Sequence, residues 1–127
     1  MILNRKKVML VDPSPIFRRQ LKAAIQTNET LVDVTEASTI NAAEDILRNQ
    51  LLDVVFLDMG FPQADGLRLI ETIKGVARDI RIVVLTSHDS AANQADAIEK
   101  GADYFLSKEH AVGLRLIDVI HETIRRQ

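Results

Sequence analysis

Short apolar runs alternate along this chain with longer stretches in which apolar residues recur at helical spacing. Runs that are apolar throughout are typical of parallel strands covered on both faces, and the amphipathic stretches are typical of helices packed on such a sheet. The runs predict strands near Lys6–Val11, Val32–Ala37, Asp53–Leu57, Ile80–Leu85 and Tyr104–Leu106. The amphipathic stretches predict helices near Pro15–Thr27, Ile40–Gln50, Gly66–Val76, Ser90–Lys100 and Ala111–Arg126.

Residues at the predicted helix ends support these boundaries. Ser14, Thr39 and Asp65 can each cap the start of a helix, and Pro15 suits a first helical position. Gly101 follows the fourth helix and suits the left-handed backbone of a helix end. Five parallel strands alternating with helices therefore predict a doubly wound α/β domain with helices on both faces of the sheet and the strand order 2-1-3-4-5.

The apolar faces of three helices lead to specific expectations. The first helix has one stripe, made of Ile16, Phe17, Leu21, Ala24 and Ile25. The last helix has a similar stripe, made of Val112, Ile117, Ile120 and Ile124. In the fourth helix Ile98 is the only large apolar side chain, so alanine must supply the rest of its buried face. A helix that buries so little area should be among the least firmly held elements.

Length, composition and charge exclude several classes of protein. The 127 residues suit one domain, residues 1–127, with 46% hydrophobic and 27% charged residues. The net charge of −2 argues against a nucleic-acid-binding surface, and the absence of cysteine excludes a disulfide framework. No apolar run is long enough for a membrane span or a signal peptide, which favours a cytoplasmic protein. No DNA-binding segment follows Arg126, which leaves either a stand-alone domain or one part of a longer chain.

A polar residue that could take part in a reaction or bind a ligand stands at, or just after, the end of four predicted strands. These residues are Asp12, Asp58, Thr86 and Lys108. The carboxyl ends of parallel strands share one edge of the sheet, where open α/β sheets bind ligands, and strands 1 and 3 flank the binding crevice. Two carboxylates, a hydroxyl and an ammonium group are therefore predicted to converge on an anion site, with phosphate as the expected anion.

Each of these residues also has an ordinary structural explanation. Asp58 opens a loop rich in turn residues, Asp12 and Thr86-Ser87 resemble helix caps, and Lys108 alone would be a solvated lysine. The combination at one edge favours function over these explanations. The phosphate loops of nucleotide-binding proteins and the serine elbow of hydrolases are absent, and the histidines at 88, 110 and 121 are scattered.

Together these residues resemble the receiver domain of bacterial two-component response regulators, over nearly the whole chain. The resemblance rests on Val11-Asp12, on Leu57-Asp58 with Phe61-Pro62 and Asp65-Gly66, on Leu85-Thr86-Ser87, and on the segment from Gly101 to Lys108. It implies a flavodoxin-like three-layer sandwich that accepts a phosphoryl group from a sensor histidine kinase on Asp58.

The resemblance also implies roles for the other residues of the site. Thr86, with the Ser87 backbone, and Lys108 would contact the phosphoryl group, and Phe105 would turn inward on phosphorylation. Asp12, Asp58 and the Gly60 carbonyl would hold Mg²⁺. The fourth helix, fifth strand and fifth helix would form the surface that signals to an effector protein or output domain and that could pair in a homodimer. Such a domain turns over no separate substrate, so no enzyme activity is expected beyond its own phosphotransfer and dephosphorylation.

Three departures from the family pattern bear on these expectations. Pro13 stands where the family usually has a second acid, which is the direct magnesium ligand. Glu109 follows the lysine where proline is frequent, so a cis peptide bond is not expected there. Phe61 replaces the usual methionine.

Three functions therefore compete. The first is a phosphorylatable switch, favoured by Asp58, Thr86 and Lys108. The second is a degenerate receiver that binds proteins without phosphate, favoured by Pro13. The third is a phosphotransferase or hydrolase of the haloacid-dehalogenase class, which is disfavoured because Ser14 stands where that class needs a second aspartate.

Overall fold

The computed structural model of the chain describes residues 5–87, 91–110 and 114–125. The strands are β1 (Lys6–Val11), β2 (Val32–Ala37), β3 (Val54–Asp58), β4 (Arg81–Thr86) and β5 (Tyr104–Ser107). The α-helices are α1 (Pro15–Asn28), α2 (Ile40–Asn49), α3 (Gln63–Val76), α4 (Ala91–Lys100) and α5 (Leu114–Ile120). A single 3₁₀ turn covers Lys108–His110, and a π-helical turn, His121–Arg125, continues α5.

The five strands form one parallel sheet in the order β2-β1-β3-β4-β5, which confirms the predicted topology. In the register of the sheet, Val11 pairs with Leu57, and Asp58 pairs with Leu85. Since β1 and β3 are neighbours, Asp12 directly after β1 and Asp58 at the end of β3 come to the same edge of the sheet.

Two buried clusters, one on each face of the sheet, hold the three layers together. One face carries α2, α3 and α4, whose buried residues include Leu47, Ile70 and Ala97. The opposite face carries α1 and α5, whose buried residues include Ile25 and Ile120. Apolar side chains therefore leave both faces of the strands, which is why the strands are continuous apolar runs rather than alternating ones.

The predicted boundaries of the strands and helices agree with the structure to within a few residues, with one wrong cap. The Ser14 and Thr39 hydroxyls accept hydrogen bonds from Phe17 and Ala42 as predicted. Asp65 does not cap α3, because the helix already begins at Gln63, directly after Pro62. Asp65 instead lies in the first turn, where a negative charge is favourable, and pairs with Arg68.

Two predicted core residues are exposed. Ile16 is 66% exposed, because the buried side of α1 consists of Leu21 and Ile25, with Phe17 partly buried beside them. Ile98 is 49% exposed, whereas its neighbour Ala97 is fully buried. The helix therefore packs closely on the sheet through a small side chain.

The predictions made for His88, Ser90, Ala111, Val112 and Arg126 lie outside the described residues. Among the residues that are described, no helix combines the length and the hydrophobicity needed to span a membrane.

Besides Ala97, polar contacts attach α4 to its neighbour α3. The Gln63 side-chain amide donates to Asn93 Oδ1 at 3.2 Å and to Asp96 Oδ2 at 3.4 Å. At the other end of α4, Lys100 lies 3.5 Å from Glu71. Exposed polar contacts of this kind stabilise weakly, so the structure supports the expectation that α4 is lightly held.

Lys74 joins the end of α3 to the beginnings of β4 and β5. Its ammonium group donates to the carbonyls of Arg78 and Ile80 and lies 2.9 Å from Asp103 Oδ2, and the side chain is 19% exposed. Gly101 has a positive φ of 125°, and a Cβ at this position would approach Lys74 Cγ to 2.8 Å. The close contact requires glycine here.

We expect Lys74→Met to lower the free energy of unfolding by about 2 kcal/mol, because it removes the ammonium donor from two backbone carbonyls and from the Asp103 carboxylate, which keeps only the Ile82 N–H. Urea denaturation measures this change. The matched control is Lys100→Met, which removes one exposed ion pair and should cost less than about 0.5 kcal/mol. Equal losses for the two variants would contradict the structural role of Lys74.

Candidate functional site

The ammonium group of Lys108 lies between two buried carboxylates at the carboxyl edge of the sheet. Lys108 Nζ is 2.8 Å from Asp12 Oδ2 and 3.3 Å from Asp58 Oδ1. The two aspartate side chains are each 4% exposed, and the lysine side chain is 17% exposed. Three of the four predicted residues thus form one charged cluster with two negative charges and one positive charge.

The turn after β1 directs the Asp12 carboxylate into this cluster. Asp12 Oδ1 accepts a hydrogen bond from the backbone N–H of Ser14 at 2.8 Å. The Arg18 guanidinium donates to the Asp12 carbonyl and also bonds to Glu36 Oε1 at 3.0 Å. These two contacts hold the turn on either side of Pro13, whose ring fixes its own φ, and the other carboxylate oxygen, Asp12 Oδ2, contacts Lys108.

Four features of its surroundings act on the pKa of the Asp58 carboxyl, two raising it and two lowering it. Burial raises the pKa of the Asp58 carboxyl above its usual value, and the negative charge of Asp12 raises it further. Lys108 and the backbone N–H of Gly60 act in the opposite direction and lower this pKa. A Cβ on residue 60 would lie 2.5 Å from Asp58 Oδ2, so glycine lets the backbone come close to the carboxylate.

Thr86 and Phe105 lie beside the charged cluster, around a small cavity. The cavity has a volume of about 170 Å³ and is lined by Met59, Gln63, Thr86, Asn93 and Phe105. Thr86 is buried at the end of β4, and Ser87 directly after it is exposed. The structure thus places the predicted hydroxyl and the predicted aromatic residue around one cavity, together with Met59, which directly follows Asp58.

A residue that the sequence analysis did not assign to the site, Phe17, also contacts Lys108. The ammonium lies 4.1 Å from the centre of the Phe17 ring. In the sequence Phe17 belongs to the apolar stripe of α1, which concealed this contact. The position of Phe17 in the sequence could have indicated the contact, because Phe17 lies in the first turn of the helix that follows Asp12.

The donor atoms of the cluster suit a small divalent cation, although they are few. Asp12 Oδ2 and Asp58 Oδ1 are buried and receive no well-formed hydrogen bond from the residues that the structure describes. Carboxylate oxygens of this kind are preferred ligands of Mg²⁺, which often binds through only one or two carboxylates and keeps several waters. No group of three or more metal-ligating acids or histidines is found within the described ranges.

Comparison with known proteins identifies the family. Residues 8–120 match the family model for the response regulator receiver domain, so the chain belongs to that family. It is 32% identical over 101 residues to Fimbriae Z protein of Salmonella typhimurium (strain LT2), across 80% of this chain and 48% of that protein. The chain spans about half the length of the curated relatives it matches.

Solved structures share the fold. A response regulator from Thermotoga maritima has a TM-score of 0.85 at 24% identity and covers 96% of this chain and 99% of that one. A response regulator protein from Burkholderia pseudomallei, solved with a phosphorylated aspartic acid, a calcium ion and citrate, has a TM-score of 0.79 at 23% identity and covers 95% of this chain and 67% of that one. Receiver domains act in two-component signalling through phosphorylation of an aspartate, and they generally bind Mg²⁺.

Proposed function

We propose that the chain acts as one receiver domain, a switch in which Asp58 accepts a phosphoryl group from a histidine of a sensor kinase. The observation that carries the proposal is the Lys108 ammonium between the buried carboxylates of Asp12 and Asp58. A cation held beside a buried nucleophile is suited to neutralise the oxygens of an incoming phosphoryl group.

The proposed reaction forms an acyl phosphate on Asp58. A carboxylate oxygen of Asp58 attacks phosphorus, and the bond from phosphorus to the histidine nitrogen of the donor breaks. The electron pair of that bond returns to the histidine nitrogen, which takes up a proton. Lys108 contributes by keeping Asp58 ionised against the effects of burial and of Asp12, and then by contacting the phosphoryl oxygens. The domain acts only on its own phosphoryl group and turns over no other substrate.

Mg²⁺ is the proposed cofactor. Asp12, Asp58 and the Gly60 carbonyl are the groups that would hold it, and the ion would neutralise charge on the phosphoryl oxygens. Since Pro13 has no carboxylate and Lys108 already contacts one oxygen of each aspartate, we propose that this site binds Mg²⁺ weakly.

The proposed switch runs from the phosphoryl group to α4. The Thr86 hydroxyl and the Ser87 backbone N–H would bind phosphoryl oxygens, and Phe105 would turn into the space that they share. The cavity of about 170 Å³ supplies room for this movement, and the lightly held α4 borders it through Asn93. The surface of α4, β5 and α5, where Ile98 is half exposed, would then bind an effector protein, an output domain or a second copy of the chain.

A second candidate function is a receiver that binds proteins without being phosphorylated. Pro13 favours this alternative, because it leaves only two carboxylates at the site, and the Lys108 ammonium already neutralises one of their two charges. In that case the salt bridges would serve to hold β1, β3 and the loop after β5 in one fixed arrangement.

The decisive experiment is incubation of the chain with acetyl phosphate at high Mg²⁺, followed by intact-mass measurement. We expect one phosphoryl adduct that hydroxylamine removes, as it does an acyl phosphate, and no adduct on Asp58→Asn. Asp53→Asn is the matched control, since Asp53 is a part-buried aspartate just before the same strand, and it should retain the adduct. Absence of any adduct on the unmodified chain would contradict the proposal and favour the phosphate-independent receiver.

A further inference from the structure

The Lys108 ammonium has an aromatic ring on one side as well as two carboxylates. Phe17, in the first turn of α1, places its ring centre 4.1 Å from Lys108 Nζ. The ring is partly buried and packs against the cluster shared by α1 and α5. Its position is therefore fixed by the core, and the ammonium is what it contacts at the site.

The Phe17 ring adds a third contact to the two ion pairs of the Lys108 ammonium. Asp12 Oδ2 and Asp58 Oδ1 receive no well-formed hydrogen bond from the part of the chain that the structure describes, although both lie within ion-pair distance of the ammonium. A lysine ammonium is a strongly hydrated charge on a flexible stem, so two such contacts alone leave it free to turn toward water. The negative face of an aromatic ring attracts a cation, and the Phe17 ring lies close enough to the ammonium, at 4.1 Å, to do so.

We propose that Phe17 is a positioning residue that holds the Lys108 ammonium at the phosphoryl site through a cation–π contact. The inference rests on the proposed function and deepens it, because it assigns part of the phosphotransfer rate to a residue on α1. Phe17 does not touch the reacting atoms itself. It acts by keeping the lysine where charge develops in the transition state, so that no reorganisation is needed when the reaction occurs.

A purely structural role makes a different prediction. If Phe17 served only to fill the core, side chains of the same shape would serve equally well, whatever the charge distribution of their ring. Fluorination separates the two roles, because it withdraws electron density from the ring face with little change in shape or apolar character.

The test replaces Phe17 with mono-, di- and trifluorinated phenylalanine and measures the rate of phosphorylation by acetyl phosphate. We expect the rate to fall stepwise with fluorination, by about threefold to thirtyfold over the series, while the thermal midpoint stays constant. Phe17→Leu should be as slow as the most fluorinated variant, and Phe17→Tyr should restore most of the rate. A flat series on a chain that does accept phosphoryl overturns the role of Phe17 and leaves the proposed function intact.

A spectroscopic measurement makes the test independent of phosphotransfer. In the unphosphorylated chain the methylene protons next to the Lys108 ammonium should be shifted upfield by the ring current of Phe17, and Phe17→Leu should abolish this shift. Random-coil shifts in the unmodified chain would overturn the contact itself. If the shift is present but no chain in the series is phosphorylated, the proposed function fails and the rate-enhancing role of Phe17 fails with it.

Discussion

Lys108→Met is expected to lower the free energy of unfolding by about 3 kcal/mol at neutral pH and to abolish most phosphotransfer. The lysine is the cation that contacts the carboxylates of Asp12 and Asp58, each 4% exposed. Methionine fills a similar volume but leaves two buried like charges facing each other, and breaking a buried pair in this way is costly. Urea denaturation measures the stability, and intact mass with acetyl phosphate measures the transfer.

The loss of stability in Lys108→Met should depend on pH in a direction that the site dictates. Burial and Asp12 raise the pKa of Asp58, whereas Lys108 lowers it, so removing the lysine raises this pKa further. A carboxyl whose pKa is raised by folding destabilises the fold when ionised, and stability recovers as the pH falls through the folded-state pKa. The deficit relative to the unmodified chain should therefore shrink on acidification from neutral pH toward the usual carboxyl range.

A double variant provides the control for Lys108→Met. Adding Asp12→Asn removes one of the two charges, so Asp12→Asn with Lys108→Met should recover most of the lost stability. Equal stability of the single and double variants, or a single variant as stable as the unmodified chain, would show that the ion pairs do not hold this edge of the sheet together.

Pro13→Asp is expected to increase the affinity for Mg²⁺ by about tenfold, since affinity for hard cations depends strongly on the number of charged oxygen ligands. Residue 13 is exposed and directly follows Asp12, so a carboxylate there can reach solvent and the edge of the charged cluster. Isothermal titration calorimetry with Mg²⁺ measures the change. Phosphorylation at limiting Mg²⁺ should accelerate in parallel.

The matched control for Pro13→Asp is Pro13→Ala, which frees the backbone without adding a carboxylate. We expect Pro13→Ala to bind Mg²⁺ as the unmodified chain does. An equal gain in Mg²⁺ affinity from alanine and from aspartate would show that weak binding comes from the rigid turn held by Ser14 and Arg18 rather than from the missing charge. No gain from either would contradict the assignment of the metal to this edge.

These expectations describe a site that trades stability for reactivity. Asp58 is buried, close to Asp12 and held by a single lysine, which is an unfavourable place for a carboxylate and a suitable one for a nucleophile. Helix α4 is also held at a low stability, because its close contact with the sheet depends on the small side chain of Ala97. In the proposed switch, an element attached through so small a side chain and through exposed polar contacts would be the one that a local change at Thr86 shifts.

The sequence by itself determined the order and type of the elements and the edge at which the site lies. Buried parallel strands must be apolar throughout and the helices between them amphipathic, so the alternation of the two patterns specifies the fold. Asp12, Asp58, Thr86 and Lys108 each stand at a strand end, and the parallel topology alone brings them to one edge. The family resemblance then supplied their expected roles.

Only the tertiary structure decided which side chains meet. The sequence placed Phe17, Ile16 and Ile98 by helical spacing, which gives a face but not the angle at which the helix packs on the sheet. That angle leaves Ile16 and Ile98 exposed and turns the Phe17 ring onto Lys108. The position of the ammonium between Asp12 and Asp58 likewise depends on the ends of three strands, β1, β3 and β5, whose mutual distances are set by strand register and packing, which no local pattern in the chain encodes.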